Sequence, residues 1–350
     1  MTTPRVSICL PNYNTLPFLE ERMATIYAQT FKDWELLVYD SYSTDGAWDY
    51  FSKLAASEPR MRIWQGSREG TPGSWTPCIR EARGEFIYIA TSDDTMAPDC
   101  LEKMVRALDA NPDCDLAHCP IRVVDESGAP GPDWWSEHSL FARSTGVLVN
   151  LPHKRLAPLD GILCLLGDNI YTSVTQLLIR RGLFGRIGYY QKDWGGVGDF
   201  HWNLRAGLAA STVHVPDTWG GWRVHSLQAT AGEQLGSAAH QSKIDEMIGD
   251  VLCHLDRYLD LKDRSLILEE FVDRTQELRS HLRDHARHAT TAGRRLSLLQ
   301  NALLGNHSAW QHLISLLPGR QRWPGAAPVA VRSWLEGGGL VLLPDGDPGS

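Results

Sequence analysis

The stretch Phe86-Ile87-Tyr88-Ile89-Ala90-Thr91-Ser92-Asp93-Asp94 decides the fold class. Apolar and β-branched residues up to Ala90 predict a buried strand, and two carboxylates follow it directly. Open α/β sheets bind ligands at the C-terminal ends of their strands. Because an unpaired buried charge is costly, this pair needs water, a hydroxyl-rich ligand or a hard cation such as Mg²⁺ or Mn²⁺. A simpler interpretation is a turn with an N-cap for a helix that begins near Pro98-Asp99.

The residues that precede this stretch alternate between predicted strands and helices. Strands are predicted at 6–10, 34–39 and 61–64, because each is a short apolar run that ends in polar or turn-forming residues. A helix is predicted from Pro17 to about Gln29, and a second helix follows the second strand. This alternation predicts an α/β fold with a doubly wound, largely parallel sheet of the Rossmann-like kind.

The polar ends of three of these strands are expected to meet at one edge of the sheet. They are residues 12–14, 40–45 and 93–94, which are rich in Asn, Asp, Ser and Thr. Clustering of polar strand ends at one edge is typical of a nucleotide pocket.

Composition excludes several classes of protein. The chain has 350 residues, 43% of them hydrophobic and 22% charged, which is typical of a globular protein of one large or two ordinary domains. A net charge of -8 argues against nucleic acid as a partner. No stretch approaches the ~18 apolar residues of a membrane span, and no secretory apolar segment follows Met1. The seven cysteines lack metal-site spacing, so we expect free thiols in the cytoplasm.

The pattern changes near residue 236, where apolar residues begin to recur at helical spacing. Ile244, Met247, Val251 and Leu255 lie on one predicted helix face, and similar spacing continues further along. We predict a mainly helical C-terminal region whose role is self-association, packing onto the rest of the chain, or peripheral contact with the inner face of a membrane.

Several motifs resemble family 2 glycosyltransferases of the GT-A fold. Residues 6–14 (VSICLPNYN) are similar to the opening strand of that family, and residues 38–46 (VYDSYSTDG) to the end of its second strand. Residues 83–94 resemble the segment that leads into its DXD metal motif. Residues 198–206 and 222–225 resemble its Glu-Asp-x-x-x-Trp-x-Arg region and its late Arg-x-His element.

The resemblance extends to about residue 230 and implies a division into domains. Residues 1–235 are expected to form the GT-A catalytic domain, with a nucleotide-binding half at 1–125 and an acceptor half at 126–235. Residues 236–350 form the helical C-terminal region.

The sequence departs from the family pattern near the second strand end. Ser41 replaces the usual second Asp and Tyr42 replaces Gly. Thr91 stands where many members have a further Asp, and Trp75-Thr76 stands where Asn commonly follows an aromatic residue or Arg. These departures concern base and ribose recognition more than the fold.

For the donor nucleotide, the resemblance implies a base site at the first two strand ends. Pro11 and Tyr13 end the first strand and Asp40 ends the second, so Tyr13 is expected to stack on a uracil-like base and Asp40 to accept from its ring N–H. Arg68 is expected to contact base or phosphate, and Asp93 the ribose. The alternatives are that Asp40 caps the following helix and that Arg68 is an exposed solubilising residue.

The resemblance also implies a metal site and a general base. Asp94 is the expected ligand of Mn²⁺ or Mg²⁺, and His225 a second ligand or a diphosphate contact. Asp199 is the candidate base, at the start of a helix that follows a glycine-rich approach. The alternatives are an ordinary N-cap for Asp199 and no special role for a lone loop histidine.

The candidates for contact with the acceptor are weaker and come from the half that shapes the acceptor pocket in the family. They are Trp134, Trp135, Asp168 and Trp202. Packing is the alternative for each tryptophan, because large aromatic rings mostly fill cores.

The sequence therefore predicts a metal-dependent, inverting glycosyltransferase of polysaccharide biosynthesis. Its donor is a nucleotide sugar, expected to be a UDP-sugar, and its acceptor hydroxyl belongs to a glycan or a lipid-linked molecule. One alternative is a non-catalytic subunit that binds nucleotide sugars or glycans. Another is a sugar-1-phosphate nucleotidyltransferase, which needs a glycine-rich loop after the first strand, whereas Pro11-Asn12-Tyr13-Asn14-Thr15 contains no glycine.

Overall fold

The computed structural model describes residues 3–70, 72–131, 141, 150–165, 170–226, 228, 238–259, 264–265 and 335–343. The first part alternates strands and helices as β1 Val6–Asn12, α1 Leu16–Tyr27, β2 Trp34–Asp40, α2 Ala47–Ala55, β3 Met61–Gln65, α3 Trp75–Glu81 and β4 Phe86–Ile89. These four strands pair in parallel in the order β4-β1-β2-β3. Every residue of β1, β2 and β4 is buried, as expected for parallel strands covered on both faces.

The second part extends this sheet with strands of both directions. Its elements are β5 Thr95–Met96, α4 Cys100–Ala110, β6 Leu116–His118, β7 Ile121–Val124, β8 His153–Arg155, α5 Leu159–Leu165, β9 Leu177–Arg180, α6 Gly182–Ile187, α7 Gly198–Ala209, β10 Thr212–His214, β11 Gly220–Arg223, α8 Ala238–Cys253 and β12 Leu340–Leu342. The large sheet has the order β12-β8-β10-β6-β9-β4-β1-β2-β3.

The predicted α/β fold is confirmed, and its sheet is parallel throughout the first part, whereas the second part combines parallel pairing of β6 with β10 and antiparallel pairs. β9 lies antiparallel between β4 and β6, and β8 is antiparallel to both β10 and β12, so the described sheet is mixed. Strand direction follows from how the connecting segments return to the sheet, and an apolar run such as Leu177–Arg180 carries no sign of that direction.

A second, smaller sheet brings together two segments that are distant in sequence. It has the order β5-β11-β7, in which β11 is antiparallel to β5 and parallel to β7. β5 begins directly after Asp93-Asp94, and β11 ends two residues before His225. The pairing of Gly221 with Thr95 therefore holds both segments at one place.

Apolar clusters cover both faces of the large sheet. On one face, α5 and α7 approach closely enough that a Cβ on Gly207 would lie 2.5 Å from the backbone nitrogen of Gly161, so a side chain does not fit there. The described part of the C-terminal region joins this cluster through α8, including Met247 and Val251. In the described residues of α8, the C-terminal region thus packs onto the rest of the chain.

Three buried histidines form a ladder across neighbouring strands of the large sheet. His118 of β6, His214 of β10 and His153 of β8 are aligned by strand register. The Nδ1 atoms of His118 and His214 are 3.1 Å apart, and the His153 and His214 rings stack with centroids 4.7 Å apart. Burial is the main cause that lowers the pKa of His118 and of His214 well below the usual value. We call these three residues the histidine ladder.

A buried ion pair lies against the histidine ladder. Arg155 Nε donates to Asp160 Oδ1 over 2.6 Å, and both side chains are excluded from solvent. The Tyr171 hydroxyl donates to the other Asp160 oxygen, and an Arg155 nitrogen lies 2.9 Å from His153 Nε2. These contacts keep the charges of Arg155 and Asp160 compensated inside the sheet.

All seven cysteines are free thiols, six of them buried and Cys253 exposed. None of the described helices combines the length and apolar character needed to cross a bilayer.

Candidate active site

The site is built around the end of β4, where Asp93 meets His225. His225 Nε2 lies 2.9 Å from Asp93 Oδ2, although the two residues are 132 positions apart. The His225 ring also packs on Phe18 of α1, with ring centroids 4.4 Å apart. The sequence predicted roles for both Asp93 and His225, and the structure brings them together as a pair.

Asp94 points into the protein beside this pair and is almost fully buried. Its Oδ1 accepts from the backbone N–H of Arg223 over 2.8 Å, and its other oxygen accepts from the Thr91 hydroxyl. Burial, followed by the negative charge of Asp93, raises the pKa of Asp94 to about 7. The buried carboxyl group of Asp94 therefore ionises less readily than an exposed aspartate, although the Arg22 charge is among the influences that lower its pKa.

Arg223 connects the segments that form the site through hydrogen bonds of its side chain. Its side chain is buried and donates to the backbone oxygens of Asp93, Asp125 and Glu126 at 2.9–3.1 Å. Its remaining nitrogen donates to Glu21 Oε2 of α1 over 2.5 Å. One guanidinium thus fixes the Asp93-Asp94 turn, the residues after β7 and α1 relative to one another.

Asp40 at the end of β2 is fully buried, and both of its oxygens are engaged. Oδ1 accepts from Asn12 Nδ2 and the Ser43 hydroxyl, and Oδ2 accepts from Gln65 Nε2 and the Ser43 backbone N–H. In this structure Asp40 organises the ends of β1, β2 and β3. That arrangement favours a structural role, and the predicted hydrogen bond to a base would have to replace one of these contacts.

Pro11 and Tyr13 lie at the end of β1, next to the Asp40 network. Pro11 is buried and pairs with Tyr39 in the sheet. Tyr13 is 38% exposed, and the Arg68 guanidinium lies over its ring at 3.9 Å from the centroid. Tyr13 thus presents an accessible ring of the kind that the sequence predicted, and Arg68 covers one of its faces.

Asp199 lies in the first turn of α7 and is partly exposed. One of its oxygens accepts from the Phe200 backbone N–H over 3.0 Å. The start of α7 packs on the loop that carries Arg68, because a Cβ on Gly198 would lie 2.9 Å from Pro72 Cδ. Asp199 therefore lies next to the loop whose Arg68 contacts the Tyr13 ring. The N-cap residue of α7 is Val197 and not Asp199.

The predicted acceptor residues fall into two groups. Trp202 is fully buried between Tyr190 and Phe184, and its Nε1 donates to the Gly188 carbonyl. This environment favours packing for Trp202. Trp134, Trp135 and Asp168 lie outside the described residues.

A divalent cation fits part of this site. Each Asp94 oxygen has one hydrogen-bond donor and keeps a lone pair for a metal, and a cation there would offset the burial that raises the pKa of this carboxyl group. The His225 Nε2 atom already faces Asp93, so metal binding by that nitrogen would replace this contact. Within the described ranges, no group of three or more His, Cys, Asp or Glu side chains is arranged to hold a metal ion.

Some residues of the site gave no signal in the sequence. Three residues of α1 follow an ordinary helix pattern in the sequence, yet each acts on the site. Phe18 packs on His225, Glu21 pairs with Arg223, and Arg22 affects the pKa of Asp94. Arg22 is fully buried, 5.9 Å from the Tyr88 ring centroid, and its charge is one of the influences that lower the pKa of Asp94. Only a contact between distant segments could reveal these three residues.

Part of this chain is similar in sequence to known proteins. Residues 7–157 match the family model described as glycosyl transferase family 2. EpsE of Bacillus subtilis (strain 168), provisionally named a glycosyltransferase, is 31% identical over 130 residues, which are 37% of this chain and 47% of EpsE. Chondroitin synthase of Pasteurella multocida (strain Pm70) is 27% identical over 134 residues, which are 37% of this chain and 14% of that protein. The chain thus spans less than half the length of either relative.

A solved structure has a similar fold. The crystal structure of S. aureus TarS 1–349 in complex with UDP-GlcNAc aligns with a TM-score of 0.59 at 15% identity, covering 95% of this chain and 92% of that one. At this identity the likeness concerns the fold alone. Together, the comparisons show that residues 7–157 are similar to glycosyltransferase family 2 and that the described part of the chain has the GT-A fold.

Proposed function

We propose that this protein is a metal-dependent glycosyltransferase that moves a sugar from a nucleoside diphosphate donor, with a UDP-sugar as the first choice, to an acceptor hydroxyl. The observation that carries the proposal is the meeting of Asp93, Asp94, Arg223 and His225 at the end of β4. Neighbouring strands β1 and β2 end at the same edge with Tyr13 and the Asp40 network. The match of residues 7–157 to the glycosyl transferase family 2 model supports the same chemistry.

The donor would lie along this edge, with its nucleoside at the ends of β1 and β2. The exposed face of Tyr13 suits stacking on the base, and the Asp40 network keeps the surrounding loop in place. Asp93 would accept from a ribose hydroxyl while His225 holds the carboxylate in position. Arg223 would fix the Asp93-Asp94 turn, so that little conformational entropy is lost when the donor binds.

Asp94, with His225 as a second candidate, would hold the divalent cation. Mg²⁺ and related ions commonly use one or two carboxylates and complete their shell with water and substrate phosphates, so two protein groups suffice. When bound, the cation would neutralise charge that develops on the leaving diphosphate.

Asp199 would act as the general base in a single displacement. It takes the proton of the acceptor hydroxyl while the oxygen bonds to the anomeric carbon, and the bond from that carbon to the diphosphate breaks with inversion. The carboxylate must come within hydrogen-bond reach of the hydroxyl, which its partly exposed position beside the Arg68 loop allows. The acceptor class, a glycan or a lipid-linked molecule, completes the proposal, and a lipid-linked acceptor would bring the protein to a membrane surface.

The role of Asp199 can be separated from donor binding. The Asp199→Asn variant should bind UDP as the wild type does, while its rate of transfer falls by about 10²-fold or more, since the amide cannot take a proton. Asp193→Asn, in the exposed approach to α7, is the matched control. Transfer at the wild-type rate by Asp199→Asn would refute its role as base.

The proposed function is tested by binding and then by turnover. We expect UDP and UDP-GlcNAc, the ligands of the TarS crystal structures, to raise the unfolding temperature, and to raise it more with Mn²⁺ than without. A screen of other nucleotide sugars, followed by a coupled assay for released nucleoside diphosphate, would then identify the donor. Binding without turnover for any donor and acceptor would favour a non-catalytic binding subunit, and no binding of any nucleotide would refute the proposal.

A further inference from the structure

Tyr42 has an unusual backbone and an unusual side chain. It follows β2 by two residues, and its φ is +54°, a left-handed conformation in which a residue with a Cβ is strained. The same side chain is 58% exposed, so its ring adds little to the core. Strain without a packing benefit is typical of positions retained for binding.

Hydrogen bonds fix the backbone on either side of Tyr42. The Ser41 N–H donates to the Asn12 carbonyl over 2.9 Å, and the Ser43 N–H donates to Asp40 Oδ2 over 3.0 Å. The Ser43 hydroxyl in turn accepts from the Asn14 N–H over 3.0 Å. This network joins the end of β2 to the end of β1, where Tyr13 lies.

The surroundings of Tyr42 place it with the other aromatic groups of this edge. Tyr39 donates its hydroxyl hydrogen to the Ser67 carbonyl over 2.8 Å. Burial is the main cause that raises the pKa of Tyr39, and the nearby phenol of Tyr42 contributes. The Gly66 N–H donates to the Asp40 carbonyl over 3.1 Å, so the end of β2 that leads to Tyr42 lies beside the 66–69 segment, from which Arg68 reaches the Tyr13 ring.

We propose that Tyr42 is a second aromatic contact for the nucleobase of the donor, alongside Tyr13. This inference rests on the proposed function and deepens it, because it names a residue that recognises the base and not the phosphates. The exposed ring supplies a π-face that any base can stack on, and the Asp40–Ser43 network holds the backbone that carries this ring. A glycine at this position would relieve the strain and remove the contact.

Three substitutions separate the ring from the strain. Tyr42→Phe keeps both, Tyr42→Ala removes the ring but keeps the strained Cβ, and Tyr42→Gly removes both. Affinity is measured by calorimetry on the full chain with Mn²⁺ for two ligands, UDP and inorganic pyrophosphate, which has no base.

We expect Tyr42→Ala and Tyr42→Gly each to weaken UDP binding about tenfold, from the loss of one stacking contact, and to leave pyrophosphate binding unchanged. Tyr42→Phe should bind UDP within about twofold of the wild type. Tyr42→Gly should unfold about 1–3 °C above Tyr42→Ala, since only glycine relieves the left-handed strain.

Wild-type UDP affinity in both the Ala and Gly variants would overturn the inference while leaving the proposed function intact. An equal loss of UDP and pyrophosphate binding would also overturn it, because Tyr42 would then act through the loop and not on the base. Failure of the wild-type protein to bind any nucleoside diphosphate would instead refute the proposed function, and this inference with it.

Discussion

The candidate active site and the histidine ladder contain the same kinds of residue in opposite environments. Each combines histidine, aspartate and a buried arginine: Asp93, Asp94, His225 and Arg223 at the end of β4, and the histidine ladder with Arg155 and Asp160 inside the sheet. In the interior cluster, the carboxylate of Asp160 faces the guanidinium of Arg155 directly.

In the candidate site the charges are not matched in this way. Arg223 donates three side-chain hydrogen bonds to backbone oxygens and one to Glu21. The pKa of Asp94 is raised. Residue type alone therefore does not mark a site. A buried carboxylate with a raised pKa at the end of a strand is a stronger indication.

The largest expected effect separates the two clusters by function. Asp94→Asn should reduce transfer by about 10³-fold and abolish the gain in UDP affinity that Mn²⁺ gives, because the amide cannot supply the charge that a cation needs. Initial rates and calorimetry with and without Mn²⁺ would measure this. Asp99→Asn, a nearby exposed carboxylate paired with Lys103, is the control. Mn²⁺-stimulated UDP affinity that survives in Asp94→Asn would remove Asp94 from the metal site.

The second prediction concerns stability and the interior cluster. Asp160→Asn leaves the buried charge of Arg155 uncompensated, so we expect it to lower the free energy of unfolding by about 3–5 kcal/mol in urea titrations. Asp113→Asn is matched, since it breaks an exposed pair with Lys154, the neighbour of Arg155 on β8, and should cost at most about 1 kcal/mol. Similar losses of unfolding free energy in the two variants would mean that the buried pair contributes no more to stability than the exposed one.

The histidine ladder should also make stability depend on pH. His118 and His214 have a lowered pKa in the folded protein, so below about pH 6.5 the unfolded chain binds protons that the folded protein excludes. Each such histidine should cost about 1 kcal/mol of unfolding free energy between pH 6.5 and 5.5, and nothing further as pH rises above 7.5. Asp94, with its raised pKa, acts in the opposite direction, so the effect is read as a difference between proteins.

The comparison is between the wild type and His214→Asn, with urea unfolding at pH 7.5, 6.5 and 5.5. Between pH 6.5 and 5.5, the free energy of unfolding of the variant should fall by about 1 kcal/mol less than that of the wild type. Identical pH dependence in the two proteins would show that His214 is protonated as easily in the fold as in the unfolded chain.

The smallest expected effect tests how the candidate site is braced. Glu21 is half-exposed on α1, and its contact with the site is the ion pair with Arg223. Glu21→Gln should weaken UDP binding about threefold to tenfold by loosening the Arg223 guanidinium, with little change in unfolding temperature. Glu20→Gln makes the same charge change one position earlier on an exposed part of α1. Equal affinities in the two variants would show that Arg223 holds its position without Glu21.

Particular elements show how far the sequence could be used. β1, β2, β3 and β4 were predictable because short, largely apolar runs that end in polar residues have few other solutions in a folded chain. The pairing of Asp93 with His225 was predictable only through the family resemblance, since 132 positions separate them. Glu21 was missed, because its partner Arg223 is 202 positions away and nothing local to α1 indicates it.

The sequence by itself determined the strands of the first half and their alternation with helices, from which parallel pairing follows. It also determined the acidic pair that comes after β4. Local preferences suffice for these features, because burial and turn formation act on neighbouring residues. Only the tertiary structure decided that β9 enters antiparallel, that Asp40 is enclosed by four donors, and that Arg223 joins three segments. Those outcomes depend on distances between residues far apart in the chain, and the charge state of a carboxylate follows from what such distances place around it.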